Sequence, residues 1–334
     1  MKEIGSEFWT KQGVLNTENA DNEIYLLSGR TALRFIIDDI CQTRNFCKVL
    51  LPSYCCESMI EPFLSVGIDV QFYSVHADCI DYPYENDADA VLLIDFFGYI
   101  NPENETIARH EKKAGKTVIY DATHKLDGNL AVEAYADYSF CSYRKWFYCN
   151  FARAVKHDGA FCCDQLRMNT RYIELRDRAA EKKEKYIEGL TAEKEEFLKL
   201  FSTAEEMLDN DYIGYSGELV AFDIDEIISG RRENASYLLG ELKKIPEIQL
   251  WKDMVGEEDV PLFVPILVDP LVRCDLRSAL IKESVYCPIH WPVSSYHGEC
   301  NELYGMELSL VCDQRYGIAD MERIVSIIKS YFNR

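Results

Sequence analysis

The feature that most constrains this chain is an alternation in its first half. Short apolar runs rich in strand-forming residues, at 48–51, 70–73, 90–94, 117–120 and 138–142, are separated by stretches of helical periodicity such as 30–40 and 104–114. The runs lack clean polar alternation, as expected of strands buried on both faces in a mainly parallel sheet covered by helices. The pattern predicts an α/β layered domain. Ligands collect beyond the carboxyl ends of strands in such sheets. A site is therefore expected at 52–56, 96–98, 121–124 and 142–145.

The second half reads differently. Residues 176–209 are rich in Glu, Lys, Leu and Ala, with Tyr186, Leu190, Phe197 and Leu200 at roughly helical spacing, which predicts long amphipathic packing helices. A helical stretch at 223–242 leads into a mixed region with a strand expected at 262–268 and a helix at 320–332. No internal repeat is visible. The 334 residues accommodate two domains of ordinary size, and the expected division is a large domain over 20–215 and a smaller one over 216–334, with 1–19 packing on the latter.

Charge and cysteine usage exclude several classes. With 36 basic against 57 acidic residues the chain carries −21, so it gains nothing from counterion release on nucleic-acid phosphates. Its apolar stretches fall well short of the roughly 18 residues of a membrane span, and the opening MKEIGSEFW has no signal-peptide apolar region. The 13 cysteines, with Cys55-Cys56 and Cys162-Cys163 adjacent, make a poor disulfide framework. Reduced thiols in a cytoplasmic protein are expected. Cys287, His290, His297 and Cys300 contain four possible zinc ligands, but the spacing is unlike that of common fingers and Pro288 and Pro292 restrict the backbone. No metal is expected.

The informative constellation is Asp121 with His124 at one predicted strand end and Ser142 with Lys145 at the next. A carboxylate there can hold a heteroaromatic nitrogen protonated, and a lysine one β-unit later can form a Schiff base with an aldehyde. Upstream, in LLSGRTAL, Ser28-Gly29 close a strand-like run and Arg30-Thr31 open a helix, whose free N–H groups suit a phosphate. Together these describe a site for pyridoxal 5'-phosphate.

The segments SGRTAL, PSYCC, IDFFGY, IYDATH, SYRKWF, RRENASYL, IHWP and DQRYG follow the order of the blocks of fold-type I pyridoxal phosphate aminotransferases over residues 26–325. The chain most resembles the DegT/DnrJ/EryC1/StrS, or sugar aminotransferase, group. The resemblance implies an aspartate aminotransferase-like fold, with a large α/β domain and a smaller C-terminal α+β domain. It implies Lys145 as the aldimine lysine, Asp121 on the pyridine nitrogen and His124 near the phenolic oxygen. Ser142 would join Gly29, Arg30 and Thr31 around the phosphate. An aromatic after the strand-end proline stacks on the ring in most relatives; Tyr54 is the favoured counterpart here and Cys56 the alternative by position. His290 and Trp291 would line the substrate pocket, and Arg315, or Arg153, would bind a substrate carboxylate. Lys125 is the rival aldimine lysine, without the serine context.

The implied activity is transfer of an amino group from an amino acid, with glutamate as donor, to a carbonyl acceptor such as a keto-sugar nucleotide, in a homodimer. Lys145 would shuttle the proton, which requires its pKa to fall. Two departures stand out: Ala152-Arg153 lies where many relatives carry a glycine pair, and the region around Tyr215-Ser216 does not clearly reproduce the second-subunit loop. The alternatives are another fold-type I enzyme (lyase, dehydratase or desulfurase) and a non-catalytic binding or assembly protein.

Overall fold

The computed structural model describes residues 3–10, 14–15, 21–126, 128–162, 167–168, 170–209, 213–214, 219–220, 223–293, 295–296 and 301–333. Its largest sheet runs in spatial order Arg167–Met168, Ile213–Gly214, Glu23–Leu26, Ala152–Lys156, Tyr138–Ser142, Thr117–Asp121, Ala90–Ile94, Lys48–Pro52, Asp69–Val75 and Ile80–Asp81. The strands from Tyr138–Ser142 through Asp69–Val75 are mutually parallel. Ala152–Lys156 is antiparallel to both of its neighbours, so Glu23–Leu26 beyond it regains the common direction. The chain leaving Leu26 therefore emerges on the same edge as Asp121 and Ser142.

Period-two geometry explains the apolar runs. Val49, Leu51, Ala90 and Leu92 face one core, shared with Phe35, Ile36 and Ile40 of the helix Gly29–Thr43. Leu50, Val91 and Leu93 face the other, shared with Ile107 and Ala108 of the helix Pro102–Lys113. Neither face meets water, so neither calls for a polar residue; each fully buried Val, Leu or Ile contributes roughly 1.5–3 kcal/mol. The helix Gly29–Thr43 is started by a capping box: Ser28 Oγ accepts from the Thr31 N–H, and Thr31 Oγ1 accepts from the Ser28 N–H.

The C-terminal part has its own core. Helices Ile224–Leu242, Pro270–Lys282 and Ile318–Phe332 pack Leu238, Leu276 and Ile324 against Val264, Ile266 and Leu308 of a small antiparallel sheet. Its strand Glu307–Leu310 is not among the runs expected from the sequence. The helices Thr170–Ile187 and Lys194–Glu206 pack together, as expected of an amphipathic stretch. Leu190 departs from expectation: it falls in their connection and is 72% exposed.

The first described residues touch both parts. Ile4–Gly5 pairs in parallel with Val285–Tyr286 of the C-terminal part. Just beyond, Arg176 pairs with Glu7, and Lys183 donates to Ser6 Oγ and to the Glu7 carbonyl, both from the helix Thr170–Ile187. Burial pushes Lys183 down to about 7, with Arg315 adding to the effect.

Candidate functional site

Four strand exits form the site. Asp121 ends its strand and caps a short turn, its Oδ1 accepting from the Thr123 N–H at 2.8 Å. Thr123 also accepts from the Ser142 N–H, at 3.2 Å, tying the two exits together. Past Ser142 the chain turns through Tyr143–Lys145, and the wholly buried Trp146 anchors that turn by donating from Nε1 to the Thr123 carbonyl at 2.8 Å. Gln314 of the C-terminal part donates to the Trp146 carbonyl at 2.6 Å. Lys145 is thereby held from both parts of the molecule.

Lys145 Nζ lies 3.3 Å from His124 Nε2. On the other side of the ring, His124 Nδ1 accepts the Phe97 N–H at 3.1 Å. A nitrogen that accepts carries no proton, so neutral His124 is the Nε2–H tautomer. Its N–H then points at Lys145, which can accept it only as an uncharged amine. Burial lowers the pKa of both groups, outweighing for Lys145 the opposing effects of Cys56 and Asp121; a positive charge on Lys145 or on His290 would further disfavour protonation of His124. Phe97 makes this possible from a left-handed backbone, φ 58°, unusual for a bulky residue and held by its neighbours.

At the remaining exit, Gly29 begins its helix beside Ser142. A Cβ built on Gly29 would lie 3.2 Å from Ser142 Cβ and 3.8 Å from its Oγ, so glycine keeps open a cradle that a side chain would fill. Asp121 is 4% exposed, and burial raises its pKa against the opposing bonds from Thr123 and the charge of Lys145. The donor set, a helix start beside a serine, a buried carboxylate and a lysine whose pKa burial lowers, fits a phosphorylated pyridine aldehyde.

Other expected residues are placed as follows. The Thr31 hydroxyl is used within the capping box and donates to the Ser28 carbonyl at 2.8 Å, which commits it to the turn. Arg30 sits in the first helical turn. Tyr54 is buried among Phe96, Trp251, Trp291 and Tyr304, with its hydroxyl on the His290 carbonyl. Cys56, at the N-cap position of the next helix, is one of the groups that act electrostatically on Lys145, together with Asp121, Arg144 and Cys141. Trp291 stacks on His124 with centroids 5.7 Å apart.

Arg315 gives its fork to Asp313 through two bonds of 2.8 Å and lies over the Phe8 ring, while Arg153 pairs with Glu23. Arg315 and Asp313 both line the cavity that opens onto Lys145, whereas Arg153 lies within the sheet. Ala152 is wholly buried in the sheet opposite Ser142 and Leu26. Lys125 is buried one residue past the His124 turn and is not brought to His124 Nε2 as Lys145 is.

His297, Cys300, Tyr215 and Ser216 lie outside the described residues. Among the described residues no cluster has the makings of a metal site. Thr123, Phe97 and Gln314 fall within the expected segments and blocks but were not singled out, because each acts on or through a backbone group and no side-chain pattern marks such a contact.

A cavity of about 360 Å³ opens onto Lys145, lined among others by Glu7, Phe8, Arg144, Phe263 and His290. No helix among the described residues is long and apolar enough to cross a membrane.

No protein-family model matches the chain, and no curated protein matches it in sequence. Solved structures do match. PseC of Helicobacter pylori, an aminotransferase involved in the biosynthesis of pseudoaminic acid, superimposes with a TM-score of 0.66 at 12% identity, covering 98% of this chain and 100% of that one. NtdA of Bacillus subtilis with bound PMP cofactor gives 0.62 at 15% identity over 93% and 73% of the two chains. A NifS-like protein of Rickettsia africae gives 0.59 at 10% identity over 94% and 82%. The chain has the fold of the pyridoxal-phosphate-dependent aminotransferases, fold type I. Within that fold its likeness extends to structures described as DegT/DnrJ/EryC1/StrS and sugar aminotransferases.

Proposed function

We propose that this protein is a pyridoxal-phosphate-dependent aminotransferase of the DegT/DnrJ/EryC1/StrS type. It moves an amino group from an amino acid, with glutamate as the expected donor, to a small-molecule carbonyl. The observation that carries the reading is the Lys145–His124–Phe97 chain of contacts, which together with burial favours the amine form of Lys145 beside the buried Asp121. A free amine is the form that adds to an aldehyde.

When bound, the cofactor supplies an electron sink. Asp121 would hold the pyridine nitrogen protonated; its bond from Thr123 fixes the carboxyl plane. Gly29, Arg30 and Ser142 would hold the phosphate, Thr31 contributing through the helix start it builds. The amine of Lys145 would take up and return the proton of the reacting carbon, and His124 would keep that amine aimed. The packed aromatics around Tyr54 and Trp291 would restrict water on that side of the reacting atoms.

A keto-sugar nucleotide as acceptor is supported by the likeness to DesI, whose structure was solved in the presence of its TDP-sugar product. A cytoplasmic homodimer is part of the same reading. The test is to treat the protein with pyridoxal phosphate and borohydride and map the modified peptide, then to add glutamate to unreduced loaded protein. Modification at Lys145 and release of one equivalent of 2-oxoglutarate are expected. Modification elsewhere refutes the site, and modification without keto-acid release refutes glutamate transamination in favour of another reaction on this fold.

A further inference from the structure

The cavity above Lys145 has a second imidazole in it. His290 is buried, with its ring edge-on to His124 at 5.9 Å and against Phe97 and Phe263. Behind it lies a short relay. Glu307, wholly buried, accepts the His290 backbone N–H at 2.7 Å on Oε2 and the Ser309 hydroxyl on Oε1. The Ser309 oxygen is 2.8 Å from His290 Nδ1. Because a carboxylate only accepts, the Ser309 proton belongs to Glu307, and the serine has only lone pairs to offer the ring. His290 Nδ1 therefore carries the ring proton. Nε2, on the side away from Ser309, is left with a lone pair and has no hydrogen-bond partner among the described residues.

The two imidazoles at the lysine thus have opposite tautomers. His124 presents an N–H, which suits an amine already present. His290 presents a base, which Lys145 does not need but an incoming amino donor does. Near neutral pH such a donor arrives as an ammonium ion, with no lone pair for attack. We propose that His290 is the base that removes this proton, with Ser309 and Glu307 as the positioning residues that set its tautomer and stabilise its charged form. The donor N–H bond breaks, its electron pair stays on the donor nitrogen, and an N–H bond forms at Nε2; the imidazolium later returns the proton to solvent water. The charged and titratable groups facing His290 are Glu307 behind it and Lys145 and His124 before it. Burial and Lys145 lower its pKa while Glu307 raises it, which keeps the ring uncharged until a proton is delivered.

The proposal rests on the aminotransferase reading, and its test has one arm independent of that reading. In cofactor-free protein labelled with ¹⁵N-histidine, His290 is expected as the Nδ1–H tautomer, with Ser309→Ala loosening that preference. An Nε2–H tautomer would overturn the proposal whatever the protein catalyses. In loaded protein, single-turnover reaction with glutamate is followed from about pH 6 to 9.5. His290→Asn is expected to slow it by roughly 10²–10⁴-fold near neutrality, with the deficit narrowing as free amine accumulates. Glu307→Gln should shift the acid limb of the wild-type profile to lower pH, because the imidazolium loses its carboxylate. A deficit equal at all pH values, or an unmoved acid limb, would assign the relay to structure alone. If Lys145 takes up no pyridoxal phosphate, the aminotransferase reading fails while the tautomer result stands.

Discussion

Gly98 offers the sharpest test of how the fold builds the site. It has φ +85°, and a Cβ on it would lie 1.9 Å from the Val260 carbonyl oxygen and 3.0 Å from that of His124. The Val260 and Leu262 N–H groups donate to the carbonyls of Gly98 and Phe97 at 3.0 and 2.7 Å, docking the C-terminal part beside the turn that feeds His124. In Gly98→Ala the left-handed backbone costs about 1–2 kcal/mol. Relief of the overlap separates the two segments and loses two hydrogen bonds of about 1 kcal/mol each. The expected loss is about 3–4 kcal/mol. Gly67, at φ +84° with nothing within 4 Å of its built Cβ, is the control. Gly67→Ala should lose only the conformational part, about 1–2 kcal/mol. Urea denaturation of the two variants measures the difference, and at roughly 2.1 cal/mol/K per residue Gly98→Ala should melt about 5 °C below the parent. Equal losses in the two variants would refute the steric argument. Gly98→Ala should also return Lys145 toward ordinary amine behaviour, read as slower modification by pyridoxal phosphate near neutral pH.

Further expectations follow from the buried charges. Lys145 has a folded pKa below its unfolded one, so its charged form is disfavoured by burial, and the residue costs stability at neutral pH, a cost that is lost as pH rises through the ordinary lysine range. Lys145→Met should therefore stabilise cofactor-free protein by about 0.5–2 kcal/mol, the gain shrinking as pH rises toward the ordinary lysine range; a destabilised variant in thermal melts would contradict this. His124 and His290 are likewise depressed, so stability should fall as pH drops below the ordinary histidine value of 6.5, and His124→Asn, which keeps an acceptor for Phe97, should fall less steeply. Asp121→Asn should weaken pyridoxal phosphate retention by roughly 10–100-fold, the worth of one charge-assisted bond, as measured by dialysis and fluorescence. If Cys56 faces the bound ring, pyridoxal phosphate should slow its alkylation while leaving the exposed Cys41, Cys47 and Cys274 unaffected; no protection would return the stacking position to Tyr54.

The central sheet was legible because its strands are buried on both faces, so composition alone marks them. The run closed by Ser28-Gly29 was legible as well, and forms Glu23–Leu26, but Ala152–Lys156 and Glu307–Leu310 were not: they carry Arg153 and Glu307, whose charges are met by Glu23 and by the His290 N–H, both far off in sequence. The chemistry-bearing residues at strand ends were legible for the same topological reason. Their orientation was not. Which nitrogen of His124 bears a proton depends on the Phe97 backbone amide, and no side-chain pattern encodes an amide. Tyr54 shows the converse limit: its type suits stacking on a ring, but the aromatic neighbours that enclose it come from 96, 251, 291 and 304.

The opening segment, paired with Val285–Tyr286 on one side and gripped by Arg176 and Lys183 on the other, has a mechanical consequence. The segment is a further tie between the two parts, added to the Val260–Gly98, Leu262–Phe97 and Gln314–Trp146 hydrogen bonds. Any separation of the parts would have to peel it from its strand or break the Glu7–Arg176 pair, and because Glu7 lines the cavity over Lys145 such a movement would reshape that cavity.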